Sequence, residues 1–204
     1  MEDILYDVAI IGGGAAGVGC GITLASANGK FEWAKNKKYL ILDANDSDLE
    51  KAALFNVPGF DYGISGKNAI KQMRDHLSFF PSIEFKDDHV LSVSGRRGDF
   101  TIHTSSNDYK ADIIVLATGM HKFDIDGLDV EVTTHDKVMK PGKIKIEHIN
   151  NRVTDGIYVA GLASGVKTMY LIAAGDGAKV ACDIFEEWTG KLAVSHDSIK
   201  DAIC

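Results

Sequence analysis

Residues 7–17 read Asp-Val-Ala-Ile-Ile-Gly-Gly-Gly-Ala-Ala-Gly, an apolar run entering a glycine-rich turn and then a small-residue helix. Val8 to Ile11 have the unbroken hydrophobicity of a parallel strand covered on both faces. Gly12 lets the chain turn sharply, Gly14 lets a pyrophosphate approach bare backbone, and Gly17 lets the helix close on the strand. The helix expected from Ala15 to about Asn28 offers N–H groups and a positive dipole end to the phosphates. Glycines at this spacing also serve plain tight turns. With a strand before and a helix after, the segment reads as a dinucleotide site.

A second apolar strand, Tyr39-Leu40-Ile41-Leu42, ends at Asp43. A carboxylate there accepts hydrogen bonds from the adenosine ribose and repels a 2′-phosphate, which favours FAD or NAD over NADP. Asp43 lies 31 positions beyond Gly12, against the usual ~20. Residues 28–38 are the insertion that lengthens the connection. The plainer alternative is that Asp43 caps a loop.

Composition narrows the class. The 204 residues carry a net charge of −7, 45% hydrophobic and 25% charged residues, as ordinary globular proteins do. That acidity argues against a nucleic-acid partner, and Lys35, Lys37 and Lys38 read as a solvated loop. No run reaches the ~18 apolar residues of a membrane span. The acidic start, Met1-Glu2-Asp3-Ile4, has no signal-peptide pattern, so cytoplasmic residence is the expectation. The three cysteines, Cys20, Cys182 and Cys204, form no CxxC, so neither a redox dithiol nor a zinc knuckle is encoded locally. Cys20 and Cys182 fall on apolar helix patterns, and Cys204 is expected to be exposed. The seven histidines show no paired metal spacing.

Along the rest of the chain, apolar positions 69, 70, 73, 77 and 80 fit one helix face closed by Pro81. Strand patterns at 83–85, 90–93, 100–103 and 109–110 read as a small antiparallel meander inserted into a parallel sheet. Asp112-Ile-Ile-Val-Leu-Ala-Thr-Gly119 and Gly156-Ile-Tyr-Val-Ala-Gly161 read as further buried strands. A long helix is expected from about Lys167 to Trp188. The fold class is α/β, and residues 191–204 are expected to form a weakly ordered tail.

In this order Ile10–Gly17, Asn56-Val-Pro-Gly-Phe60, Ile64-Ser-Gly66, Asp88-His-Val90, Ile114–Gly119 and Thr154–Gly161 resemble the FAD-binding domain of thioredoxin reductases, within the pyridine nucleotide–disulfide oxidoreductase group. The resemblance implies a Rossmann-like FAD-binding fold over 1–190, in segments 1–125 and 150–190 joined by a bridge at 126–149. It implies FAD as cofactor and a homodimer. Members of the group carry an NAD(P)H domain, usually with a CxxC, between the two segments. The roughly thirty residues from Phe123 to Arg152 are too few for one.

By the same resemblance Gly12, Gly14, Ala15, Ala16 and Gly17 surround the pyrophosphate, and Asp43 with Ala44 holds the ribose. The Val90 backbone meets adenine, and Ala117, Thr118 and Gly119 form a small-residue wall. Gly161 and Leu162 face the ribityl chain, Leu162 standing where the group has an aspartate. Met169 and Tyr170 lie at the flavin O2 side, beside a helix dipole. Plainer readings are a tight strand end for Ala117–Gly119, helix packing for Met169 and Tyr170, and a Pro-Gly turn for Asn56–Phe60. His121, just past Gly119, is the one titratable side chain expected near the cofactor.

Two function classes remain. One is a minimal single-domain FAD-dependent oxidoreductase whose electrons come from a separate reductase or from transiently docked NAD(P)H. The other is a non-catalytic protein binding FAD or another adenine dinucleotide, with a regulatory or assembly role. No catalytic acid, base or nucleophile is expected, because a flavin does its own hydride and electron chemistry.

Overall fold

The computed structural model describes residues 4–196; the expectations for Met1–Asp3, for Cys204 and for the rest of the tail end lie outside them. The first strand, β1 (Leu5–Ile11), enters α1 (Ala15–Ser26) through the glycine turn. The chain continues through β2 (Tyr39–Asp43), a small hairpin of β3 (Ala53–Leu54) and β4 (Ile64–Ser65), and α2 (Gly66–Leu77). Next come β5 (Ile83–Asp87), β6 (Val90–Ser94), β7 (Phe100–Thr104) and β8 (Asp108–Leu116). The remainder is β9 (Val132–Thr134), β10 (Ile144–Ile146), β11 (Arg152–Thr154), β12 (Ile157–Val159) and α3 (Tyr170–Thr189).

The main sheet has the order β11-β12-β8-β1-β2-β5. Strands β12, β8, β1, β2 and β5 run parallel, while β11 is antiparallel to β12. Strand order steps one way from β1 to β2 and β5, then the other way to β8 and β12. A parallel sheet that reverses direction in this way opens a crevice at the strand ends where its two halves meet.

Two corrections to the sequence reading concern the meander. Ile83–Asp87 is not part of it; it is the parallel edge strand beside β2, delivered there by the crossover helix α2. The 109–110 and 112–116 segments are one continuous strand. The first half of β8 pairs antiparallel with β7 and its second half parallel with β12. The meander is thus β6, β7 and the first half of β8.

Alternate residues of the central strands feed two cores, as the period of two requires. Val8, Ile10, Tyr39, Ile41, Ile113 and Val115 face α1, α2 and α3. Ala9, Ile11, Leu40, Leu42, Ile114 and Leu116 face the meander. Ser65 caps α2 by accepting from the Asn68 N–H at 3.3 Å, and the helix buries Ala69, Ile70, Met73 and Leu77.

In the 28–38 insertion Lys35 and Lys38 are exposed as expected, whereas Lys37 and the aromatic residues pack against the protein. Phe31 stacks on Trp33 at 5.3 Å, and Trp33 meets Phe185 edge-on at 5.0 Å. Lys37 lies 3.9 Å from the Trp188 ring centroid and pairs with Asp7 at 2.8 Å. The long lysine stem covers apolar surface while its charge is satisfied twice over. The start of the tail docks there as well: Ala193 packs on the helical core.

Helices α1 and α3 cross at backbone contact. A Cβ at Gly177 would overlap the Ala16 carbonyl oxygen, whereas one at Gly175 would meet nothing within 4 Å. Gly177→Val should therefore destabilise the fold by about 2–3 kcal/mol through overpacking, lowering Tm by roughly 5–10 °C. Gly175→Ala should raise stability by about 0.5–1 kcal/mol from helix propensity alone. Thermal melts of the two variants check both signs.

Candidate functional site

Backbone hydrogen bonds line up the carboxyl ends of four strands. The Gly12 N–H donates to the Leu42 carbonyl at 2.8 Å, Ala117 to Ile11 at 2.8 Å, and Ala160 to Leu116 at 2.9 Å. The turns that follow β2, β1, β8 and β12 therefore lie side by side. This brings together Asp43, Gly12–Gly14, Ala117–Gly119 and Gly161–Leu162, at the sheet edge where α/β proteins place ligands.

At the centre, Gly12 has φ +116°, and a Cβ there would overlap the Ala117 carbonyl oxygen. A Cβ on Gly17 would overlap the Gly12 carbonyl oxygen, so α1 begins flush against the turn. Gly14 is the helix N-cap, with φ −79° and no side-chain hydrogen bond capping the first turn. A Cβ there would meet only the Ser47 hydroxyl, at 3.5 Å. An uncapped α1 N-terminus over a bare glycine turn is a cradle for an anion.

On one side stands Asp43, 5% exposed. Its Oδ1 accepts from the Gly13 N–H at 2.9 Å, and its Oδ2 accepts from the Arg74 guanidinium. Arg74 comes from α2, lies 4.6 Å from the centroid of the Phe85 ring, and also donates to the Asn45 side chain at 2.8 Å. The acid is one half of an ion pair, so Arg74 offsets the repulsion of a 2′-phosphate that Asp43 alone would exert. Ala44, next in line, is exposed. Beyond it the Asp88 N–H donates to the Asp43 carbonyl at 3.0 Å, joining the turn before Val90 to this end of the crevice. Burial works to raise the Asp88 carboxyl pKa. The hydroxyls of Thr104 and Ser105 and the His89 N–H outweigh it and hold the group below its ordinary value. Val90 buries its side chain in the meander core and pairs with Thr104.

On the other side, Ala117, Thr118 and Gly119 are half-buried. The Thr118 hydroxyl is a buried atom with no hydrogen-bond partner among the described residues, a polar group at the crevice wall whose desolvation none of them offsets. A Cβ at Gly119 would meet nothing within 4 Å. His121 follows, its imidazole in contact with the Asp48 carboxylate and with Lys143.

Gly161 takes φ +70°, with the Ala16 Cβ 2.5 Å from where its own Cβ would stand. Leu162 is half-buried, yet a carboxylate serves this turn from beneath. Asp176 of α3 accepts from the Gly161 N–H at 2.8 Å and the Ser164 hydroxyl at 2.7 Å. It also accepts from the Asn151 amide at 3.1 Å. Sequence reading missed Asp176 and Arg74. The signal for Asp176 was an acid among small residues in Ala173-Ala-Gly-Asp-Gly177; Arg74 had none, being one basic residue on a polar helix.

Met169 is the uncapped N-cap of α3 and is 42% exposed. The Tyr170 side chain packs inward instead. Its ring meets Phe60 edge-on at 5.5 Å, its hydroxyl donates to the Met73 sulfur at 3.0 Å, and burial raises its pKa. The Asn56–Phe60 turn thus sits against the start of α3. Cys20 is buried and Cys182 half-buried, both free thiols, with burial pushing both pKa values up. That is the reverse of a reactive thiol.

The profile of the family described as "Pyridine nucleotide-disulphide oxidoreductase" matches residues 6–161, from β1 through Gly161. The chain belongs to this family. Among curated relatives, a thioredoxin reductase of Borreliella burgdorferi is 28% identical over 120 residues, 57% of this chain and 34% of its own. A ferredoxin–NADP reductase of Levilactobacillus brevis is 30% identical over 118 residues, 58% of this chain and 35% of its own. The chain thus spans about a third of the length of the curated relatives it matches. In fold it is similar to a thioredoxin reductase from Gloeobacter violaceus, with TM-score 0.75 at 16% identity over 97% of this chain and 100% of that one. It is also similar to a ferredoxin-flavin thioredoxin reductase from Clostridium acetobutylicum, with TM-score 0.64 at 18% identity over 92% and 99%.

For this member of the family, the ion pair beside the glycine turn is open to direct measurement. Arg74→Met should cost about 1–3 kcal/mol, because it leaves a nearly buried carboxylate short of a charged donor. Asp43→Asn in the same background should cost less than it does alone. A urea-denaturation double-mutant cycle should show coupling of about 0.5–3 kcal/mol between the two sites.

Proposed function

We propose that the chain is a minimal single-domain FAD-dependent oxidoreductase that binds FAD along the carboxyl edge of its sheet. The binding unit comprises 1–125 and 150–190, with 126–149 as connection. The observation that carries this reading is the uncapped α1 N-terminus set over a turn in which only glycine fits at Gly12 and Gly17.

Family membership, the unpartnered Thr118 hydroxyl and the open uncapped start of α3 support the same reading. In it Gly12, Gly14, Ala15, Ala16 and Gly17 hold the pyrophosphate. Asp43 and Ala44 take the ribose, and Val90 lies at the adenine. Ala117–Gly119 form the wall, and Gly161–Leu162 lie along the ribityl chain. The backbone at Met169 and Tyr170 turns the positive end of α3 toward the flavin ring. Bound flavin supplies hydride and electron transfer; these residues supply position, dipoles and exclusion of water. The Asp176 carboxylate acts through the backbone, fixing the Gly161–Ser164 turn.

A reductant must come from outside the described residues, because the connection between the two segments is a short stretch built on the β9–β10 hairpin. A separate reductase or transiently docked NAD(P)H fits that requirement. The second reading, a non-catalytic dinucleotide-binding protein, is favoured by Leu162 at the ribityl position and by the lack of a CxxC in the sequence.

Gly14→Val is the decisive variant, because a side chain there has room within the protein itself and would stand where the pyrophosphate approaches. It should fold normally and lose FAD retention by at least ~100-fold, as expected when close backbone approach is blocked. Absorbance spectra and cofactor release measure this, and full FAD occupancy in the variant overturns the assignment. Anaerobic mixing with NADH, NADPH or reduced ferredoxin separates the readings. Reduction of bound FAD supports the oxidoreductase, and FAD inert to all three supports the binding protein.

A further inference from the structure

One cluster at the crevice is open enough to add little to the stability of the fold. Asp48 lies in the 3-10 turn Asp48–Lys51 that follows β2, and His121 lies just past the end of β8. Their side chains are in contact, although 73 residues separate them. Strand β1 runs between β2 and β8, so the contact bridges the carboxyl end of β1, across the glycine turn. Ser47, the neighbour of Asp48, comes within 3.5 Å of where a Cβ on Gly14 would stand.

The bridge continues to a cation. Lys143 Nζ donates to His121 Nδ1 at 2.5 Å, which leaves Nε2 to donate to Asp48. Lys143 is held in place because the next residue, Ile144, donates its N–H to the Met120 carbonyl at 2.9 Å. His121 is 51% and Asp48 38% exposed, with Lys143 half-buried, so the contact of His121 with Asp48 adds little to stability. What they form is a relay in which the Lys143 ammonium donates to an imidazole whose N–H meets one carboxylate, beside an uncapped helix N-terminus.

We infer that Lys143 and His121 form a cationic seat for the pyrophosphate of the dinucleotide, and that Asp48 competes for that seat as an internal anion. The inference rests on the reading that places the pyrophosphate at Gly12–Gly17. A carboxylate and a phosphate oxygen accept from the same donors, and both would not share them, since Asp48 beside a pyrophosphate sets like charges together. Binding then exchanges the Asp48 contact for phosphate contacts, and the 45–51 segment lets go of His121 as the dinucleotide enters. The carboxylate thereby weakens dinucleotide binding and keeps the lysine and the imidazole N–H from holding unrelated anions.

The test is calorimetric titration of protein stripped of any flavin, with FAD, ADP, riboflavin and adenosine, on the wild type, Asp48→Asn, Lys143→Met and His121→Ala. Asp48→Asn should bind FAD and ADP roughly tenfold more tightly, and Lys143→Met roughly tenfold less tightly, as expected for one charge-assisted hydrogen bond. Riboflavin and adenosine, which lack the pyrophosphate, should be indifferent to both changes. His121→Ala should weaken FAD and ADP in the same direction as Lys143→Met. Thermal melts should stay within a few degrees of the wild type, the contacts being exposed. If the wild type binds FAD and Asp48→Asn binds it no more tightly, the competing role of Asp48 is overturned while the FAD reading stands. If Lys143→Met alters riboflavin as much as FAD, the pyrophosphate seat is overturned. If neither the wild type nor Asp48→Asn binds FAD or ADP, both readings fall. If only Asp48→Asn binds, both are supported.

Discussion

Only glycine fits at Gly17 and Gly177, where the first turn of α1 meets the strand turn and the last helix, and the other parts arrange themselves around that fact. A Cβ at Gly17 would overlap the Gly12 carbonyl oxygen and one at Gly177 the Ala16 carbonyl oxygen. The glycine turn, first helix and last helix are therefore in close backbone contact, and Gly19 against Ala174 continues the contact one turn along α1. Close-packed interiors tolerate such contact only where both partners are small. The consequence is positional: the start of α1 is held between β1 and α3, and the turns after β8 and β12 close on either side.

Two carboxylates fix the glycine turn and the turn after β12 in similar ways. Asp43 holds the Gly13 N–H on one side, and Asp176 holds the Gly161 N–H on the other. Each comes from a regular element, each accepts from a glycine amide, and each has a further partner, Arg74 in one case and Ser164 with Asn151 in the other. Acids anchored on a strand and a helix hold backbone more firmly than loop residues would. The amides they engage are thereby pinned in orientation, so neighbouring N–H groups meet a ligand without reorganising.

Much of this was legible in the sequence for a physical reason. The strands of a parallel sheet covered on both faces are uniformly apolar, so 8–11, 39–42, 112–116 and 157–159 stood out. The glycine turn announced itself through spacing. What stayed hidden involved partners distant in sequence. The meander was misjudged because local alternation cannot say which strand a neighbour pairs with, and β8 pairs differently along its two halves. Lys37 looked solvated because its charge is visible in sequence while the Trp188 ring beneath it is not. Arg74 carried no pattern and Asp176 only the small residues around it, since an ion pair or an amide anchor depends on where two elements meet. The contact between Asp48 and His121 likewise exists only once β1 is known to lie between them.

The two tryptophans of the chain sit together, with ring centroids 6.2 Å apart, at the end of α3 remote from its N-terminus. Helical rise puts Trp188 about 27 Å along that helix from Tyr170. Intrinsic emission therefore watches one corner, where the 28–38 insertion clasps the last helix, and watches it from two elements at once. A change in that emission during denaturation would report the insertion letting go of α3, whereas helical ellipticity reports the whole molecule. Whether the two signals coincide is a direct reading of how far the clasp and the sheet share one cooperative transition.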